Sequence, residues 1–177
     1  RRLYSTAYGA FRMEPLLRRA ARASAFFSAP VPDDLDIFRA RFRGFRGEYT
    51  QLNYATVEDT LALGPDGVVG RDILVGNSAS QENNHLEIFD WIAAQDVRGA
   101  RIFVPLSYGE SAYAARVIAA GRERLGDAFT PLTDHLPLDE YNALVARCGT
   151  VIMGHWRQQA LGNILRALWQ GAHLVLD

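Results

Sequence analysis

Lysine is missing from this chain: all nineteen basic side chains among its 177 residues are arginines. A replacement that uniform fits a GC-rich genome better than a function. Cysteine is nearly missing too. Cys148 stands alone, which excludes an internal disulfide framework and a cysteine-based zinc site, and suits a reducing compartment. There is no run of about 18 apolar residues, so no membrane-spanning helix is expected. No secretory leader is visible, and the chain begins at Arg1 rather than at Met, so its true N-terminus is expected further upstream. Neither G-x-G-x-x-G nor G-x-x-x-x-G-K-[ST] occurs, which removes the signatures of a dinucleotide-binding turn and of a P-loop.

Apolar residues make up 49% of the chain, enough for one good core or two small ones. A net charge of −1 conceals an asymmetry. Residues 1–47 carry ten arginines against four acids, and residues 48–177 carry nine against sixteen. A basic first part and an acidic remainder point to two bodies in different surroundings, unless the arginines are merely scattered over a solvated surface.

From Ile73 onward, short apolar runs alternate with helical patterns. Strands are expected at Asp72–Val75, Ala100–Pro105, Ala128–Leu132, Thr150–Met153 and Ala172–Leu176. Helices are expected at Glu82–Ala94, Glu110–Leu125, Leu138–Arg147 and Gln158–Gln170. In the first of these, Leu86, Phe89, Ile92 and Ala93 share one face. Such alternation predicts βαβ units on a parallel sheet, an α/β fold with helices on both faces.

The earlier part is harder to read. Arg2–Arg19 is predicted helical, Ala23–Ala29 a strand, Pro32–Arg43 a helix and Glu48–Tyr54 a strand. That αβαβ order is the tail of a second α/β body. Leu61–Asp72 contains P-D-G and two further glycines, and is the best join. The division is therefore residues 1–60, a linker at 61–71, and a second domain at 72–177. The chain starts within a helix and stops as a strand ends, so it is expected to be a fragment of a longer polypeptide.

Two polar turns follow predicted strands. In open parallel sheets ligands lie beyond the carboxyl ends of the strands. Gly76-Asn77-Ser78-Ala79-Ser80 leads into a helix, so its backbone N–H groups and hydroxyls are placed to face an anion. The alternative is an ordinary βα loop with Ser78 or Ser80 as helix cap. The second turn, Gly154 to Asn163, crowds His155, Trp156, Arg157, Gln158 and Gln159 at a helix start. An arginine there opposes the helix dipole unless an anion neutralises it. Gly162 is placed to let a ligand or a strand approach the backbone closely. Tyr108 and Gly109, after a third strand, are candidates for a further wall.

Other motifs carry less. Ser78 with Asp134 or Asp139 and His155 or His173 has the chain order of a hydrolase triad. However, Ser80 stands where the nucleophile elbow needs its second glycine. Asp34-Leu35-Asp36 matches a metal-binding D-x-D, but its place at a helix start favours capping. Leu138–Arg147 reads as core, with Tyr141, Leu144 and Val145 on one stripe.

Four stretches, ILVGNSASQENNH, IFVPLSYG, DEYNALVARC and HWRQQALGN, in this order and spacing resemble the bacterial TDP-N-acetylfucosamine:lipid II N-acetylfucosaminyltransferases, also called 4-alpha-L-fucosyltransferases. The likeness is strong over Arg71–Asp177 and weaker but collinear before it. GNS-x5-NH and RQQ-x2-G together carry most of its specificity. The resemblance implies a GT-B architecture, two Rossmann-like domains with the active site in the cleft between them. It implies transfer of 4-acetamido-4,6-dideoxygalactose (Fuc4NAc) from TDP to a sugar on a polyprenyl-diphosphate carrier, as in enterobacterial common antigen. It further implies a peripheral place at the cytoplasmic face of the bacterial inner membrane.

Carried onto this chain, the resemblance puts Gly76, Asn77 and Ser78 at the diphosphate or sugar end of the donor, and Asn84 and His85 at the following helix start. Arg157, Gln158 and Gln159 contact the TDP phosphates, Gly162 permits close approach, and Tyr108, His155 and Asn163 complete the donor set. His155-Trp156 stands where other members carry aliphatic or aromatic residues. No metal is expected, because Arg157 and two helix N-termini supply the positive charge that departure of TDP requires. No catalytic base is assigned, and no nucleic-acid partner is expected. Arg12, Arg18, Arg19 and Arg22, interleaved with Phe11, Leu16, Leu17 and Phe26, are candidates to lie on an anionic membrane. The rival readings are a GT-B-like transferase or epimerase using UDP or GDP, and a nucleotide-binding fragment without turnover.

Overall fold

The alternation of apolar runs with amphipathic stretches becomes, in a computed structural model describing residues 14–29, 31–52, 67, 70–157 and 159–176, an α/β architecture in two compact units. The units are Arg1–Ala55 and Thr56–Asp177. Most of the join expected at Leu61–Asp72 lies outside the described residues.

The second unit carries five strands: β3 (Asp72–Val75), β4 (Ile102–Pro105), β5 (Phe129–Leu132), β6 (Cys148–Met153) and β7 (His173–Leu176). All pair in parallel, in the order β5-β4-β3-β6-β7. The chain runs outward from β3 to β5, then returns to the other side of β3 to form β6. That reversal is a topological switch point between β3 and β6, where open sheets of this kind place their ligands. The crossovers are the helices α3 (His85–Ala93), α4 (Ser111–Leu125), α5 (Leu138–Ala146) and α6 (Leu161–Gln170).

Pleating sorts the strand residues onto two faces. Ile73, Val75, Ile102, Val104 and Ile152 pack with Ile88, Phe89 and Ile92 of α3 and with Tyr113 and Val117 of α4. Leu74, Phe103, Val151 and Met153 pack on the other face with Val145 of α5 and Ala167 of α6. With both faces covered, β3 and β4 are buried along their whole length, which is why they read as continuous apolar runs. Phe89 meets Phe129 edge to face at 5.6 Å. At the amino end of β3, the largely buried Asp72 fastens both neighbours. It accepts the Arg101 amide at 2.9 Å and pairs with the Arg147 guanidinium at 2.8 Å.

The expected elements differ from the observed ones mainly at two helix starts. The stretch predicted as Glu82–Ala94 opens instead with a 3-10 turn, Gln81–Asn83, and Asn84 then takes a left-handed conformation (φ 54°) before α3. The stretch predicted from Gln158 becomes helical only at Leu161, because Ala160 is left-handed as well (φ 56°). Ala100 is held in a turn by its bond to Val97, so β4 starts at Ile102.

The first unit holds α1 (residues 14–23), β1 (Phe26–Phe27), α2 (Asp34–Arg41) and β2 (Glu48–Tyr49). β1 and β2 pair in parallel, Phe26 opposite Glu48. Phe27 stacks on Phe38 at 4.4 Å, and Phe42 and Phe45 close the aromatic cluster around Phe38. The predicted αβαβ order is observed, with strands shorter than expected. Residues 2–13 of the predicted first helix and Asn53-Tyr54 of the predicted strand lie outside the described residues. Asp34 and Asp36 sit in the first turn of α2, where carboxylates complement the helix dipole, although Asp33 before them makes no capping bond. Among the described residues, no helix is long and apolar enough to cross a membrane.

Candidate functional site

Gly76 ends β3 with a positive φ of 66°. A Cβ there would lie 2.7 Å from Nε2 of His85 and 2.8 Å from Oδ1 of Asn83, so only glycine fits. Beneath the turn, the fully buried Asn83 works as a hub. Its Nδ2 donates to the carbonyl and hydroxyl oxygens of Ser78, both at 3.2 Å, and reaches the Ser80 carbonyl at 3.4 Å. Its Oδ1 accepts the Asn77 amide at 3.0 Å. The polar residues of this turn therefore serve first to hold the turn together.

That web corrects one expectation. The amides of Gly76 to Ser80 are not an open anion nest: Gly76 donates to Ile152, Ala79 to Tyr108 and Ser80 to Ser78, besides the bond from Asn77 to Asn83. Among the described residues only the Ser78 amide has no partner in this turn. Neither serine caps a helix. Ser78 is buried against Asn83, and no histidine among the described residues bonds its hydroxyl, so the hydrolase arrangement is not formed. Ser80 donates its hydroxyl to the Glu82 carboxylate.

His85 is fully buried, with Nδ1 3.3 Å from the Tyr113 hydroxyl and Nε2 without a partner. Burial, helped by the nearby His155, pushes its pKa down to about 4. It is a neutral packing residue under Gly76, not a ligand-facing one.

The turn after β6 comes to the same place. The Trp156 amide donates to the Glu82 carbonyl at 3.2 Å, and Arg157 Nε lies 3.6 Å from the Glu82 carboxylate. Arg157 precedes α6 by four positions (Leu161 being its first residue), so it does not oppose the dipole within a first helical turn as expected. Among the described residues no side chain caps the start of α6, which leaves its first N–H groups without a side-chain partner. A Cβ on Gly162 would meet nothing, so no strand packs there and the surface above it is open. The Nε2 atoms of His155 and Gln159 are both buried without a partner. Burial, and then the charge of Arg157, lowers the His155 pKa.

Beside these turns, on the α5 and α6 side, lies a cavity of about 220 Å³ at the carboxyl ends of β3, β4 and β5. Asn77, Tyr108, Asp134, His135, Tyr141 and Asn163 contribute its polar lining, with Leu132, Leu136 and Leu138 between them. Asn77 Nδ2 donates to the Tyr108 hydroxyl at 3.1 Å, and Tyr141 donates to Asn163 Oδ1 at 3.3 Å. Burial raises the Tyr141 pKa, so its hydroxyl stays a donor.

The residues predicted for a donor site thus fall into groups. Asn77, Tyr108 and Asn163 line this cavity, while Gly76, Ser78 and His85 build the turn next to it. Arg157, His155, Gln159 and Gly162 belong to the converging turn. Asn84 does not join them. It bonds Glu87 at 2.8 Å and lines a separate cavity of about 250 Å³ with Trp91 and Val175. Gln158 lies outside the described residues. Sequence reasoning missed Asn83 and Glu82, the first visible as an extra amide in ENNH and the second as an acid two residues after Ser80. Tyr141 packs against the core as expected and also lines the cavity.

The same architecture recurs in sucrose-phosphate synthase from Thermosynechococcus elongatus, a protein of the GT-B fold. The chain matches it with a TM-score of 0.65 at 12% identity, over 95% of this chain and 45% of that one. The fold is therefore α/β of the GT-B type, and the chain spans less than half the length of that relative. Residues 4–177 match the 4-alpha-L-fucosyltransferase family, glycosyl transferase group 56, and the chain belongs to that family.

His85 gives the site a testable pH dependence. Its folded pKa of about 4 lies below an unfolded value of about 6.5, so the unfolded chain binds the extra proton. Stability is complete above about pH 6.5 and falls as pH drops toward 4. Urea unfolding at pH 7.5 and 5.5 is expected to show a loss of about 1 kcal/mol, most of it absent in His85→Gln. An equal loss in the variant would mean that His85 is not buried neutral.

Proposed function

We propose that the protein is a glycosyltransferase that moves Fuc4NAc from TDP to a glycan carried on polyprenyl diphosphate, such as the lipid-linked saccharide of enterobacterial common antigen or a similar surface polysaccharide. The observation that carries this reading is the convergence of the turns after β3 and β6 at the switch point, in a chain of the fucosyltransferase family. Arg157 and the uncapped start of α6 lie on one of those turns.

The chemistry follows from charge. As the sugar departs, negative charge builds on the β-phosphate of TDP. A donor preorganised for that charge is worth about 10²–10³ in rate. In this reading Arg157 supplies it with the N–H groups of α6, and no metal is invoked. The base occupies the cavity between Tyr108 and the leucines, where stacking on an aromatic face contributes about 1–3 kcal/mol. The amides of Asn77 and Asn163 are in place to read its edge.

For the acceptor, α1 exposes Leu16 and Leu17 together with Arg18, Arg19 and Arg22. Basic residues near an anionic bilayer contribute about 1 kcal/mol each, and the leucines add apolar contact. Arg18 already pairs with Glu14 at 2.8 Å, which discounts its share.

Calorimetric titration with TDP, UDP and GDP tests the donor. TDP is expected to bind tightest, and Arg157→Ala to weaken it about 10- to 100-fold, as for a charge-assisted hydrogen bond. Equal binding of all three, or none, would contradict the reading. Co-sedimentation with phosphatidylglycerol vesicles tests the acceptor side. Changing Arg18, Arg19 and Arg22 to Glu is expected to release the protein, and unchanged pelleting would remove the membrane role.

A further inference from the structure

Among the described residues Glu82 is the one acid at the meeting of the two turns, and nothing in the donor reading uses it. Its carbonyl takes the Trp156 amide, its carboxylate takes the Ser80 hydroxyl, and the same carboxylate stands 3.6 Å from Arg157 Nε. The contact to Arg157 is single and loose, and both side chains are partly exposed, 59% for Arg157 and 43% for Glu82. An ion pair of that kind is weak and exchangeable. The bond from Ser80 holds the carboxylate in place independently of Arg157. Hydrogen bonding by Ser80 first, and the charge of Arg157 after it, lower the Glu82 pKa accordingly.

We propose that Glu82 is an internal anion that occupies Arg157 in the empty site and competes with the donor diphosphate for it. The inference rests on the donor reading, because it takes Arg157 as the phosphate ligand. Binding exchanges one carboxylate contact for phosphate oxygens, which a guanidinium fork accepts in pairs. Release of the nucleoside diphosphate product lets Glu82 take Arg157 back. Glu82 therefore sets how long the diphosphate stays. It is a positioning residue and touches no reacting atom.

A double-mutant cycle on the intact protein, titrated with TDP and followed by stopped-flow dissociation, tests this. Glu82→Gln keeps the acceptor for Ser80 and removes the charge. It is expected to tighten TDP about two- to five-fold, mostly by slower dissociation. In an Arg157→Ala background the same change is expected to have no effect. Glu82→Asp, too short to reach Arg157 but still charged, should fall between, and it guards against a misfolded Gln variant. Unchanged or weaker binding in Glu82→Gln, or equal tightening without Arg157, overturns the proposal while leaving the donor reading intact. Failure of the wild type to bind any nucleoside diphosphate overturns both.

Discussion

A buried asparagine holds the loop on which the rest of this site depends. Asn83 has no solvent exposure, yet its amide bonds four groups of the turn between β3 and α3. An unsatisfied buried polar group costs about 1–3 kcal/mol, so a loop that turns its carbonyls inward needs such a side chain. Gly76 lets the chain pass directly over Asn83 and His85. The 3-10 turn Gln81–Asn83 then brings Glu82 to the edge of the switch point, where Trp156 and Arg157 meet it. One satisfied amide thus fixes the geometry by which two distant turns become neighbours.

The same web decides where an anion can be held. With four of the five amides of Gly76–Ser80 already bonded within the protein, that turn offers little to a phosphate. In the proposed reading the attraction passes to the other turn, to Arg157 and the exposed start of α6. Ala160 is left-handed there, a conformation that costs a non-glycine residue about 1–2 kcal/mol. Asn84 makes the same bend before α3 more cheaply, because an asparagine tolerates it. Both helices thus begin from a left-handed residue.

The centre of the sheet was legible because β3 and β4 are buried on both sides. Asp72–Val75 was placed to the residue, and every helix of the second unit was placed by its apolar spacing. What spacing could not reveal was the left-handed residue at the starts of α3 and α6, since Asn84 and Ala160 carry no glycine signal. The site was legible as two polar turns but not in its division of labour. A polar side chain in a loop looks the same in sequence whether it bonds a ligand or its own backbone. His85 and Ser78 are inside, Asn84 faces another cavity, and Tyr141, packed against the core, also opens onto the site. Glu82 was passed over because a lone acid in a helical pattern reads as solvated surface.

In the proposed reading Arg157 and the first amides of α6 hold the diphosphate where the turns after β3 and β6 meet, with the base in the cavity beside them. A crystal structure of the protein with TDP tests it most directly. The account predicts phosphate oxygens within hydrogen-bond distance of the Arg157 guanidinium and the first amides of α6, and thymine against Tyr108. A diphosphate held instead at the cavity lined by Asn84 and Trp91, or away from Arg157 altogether, would contradict it.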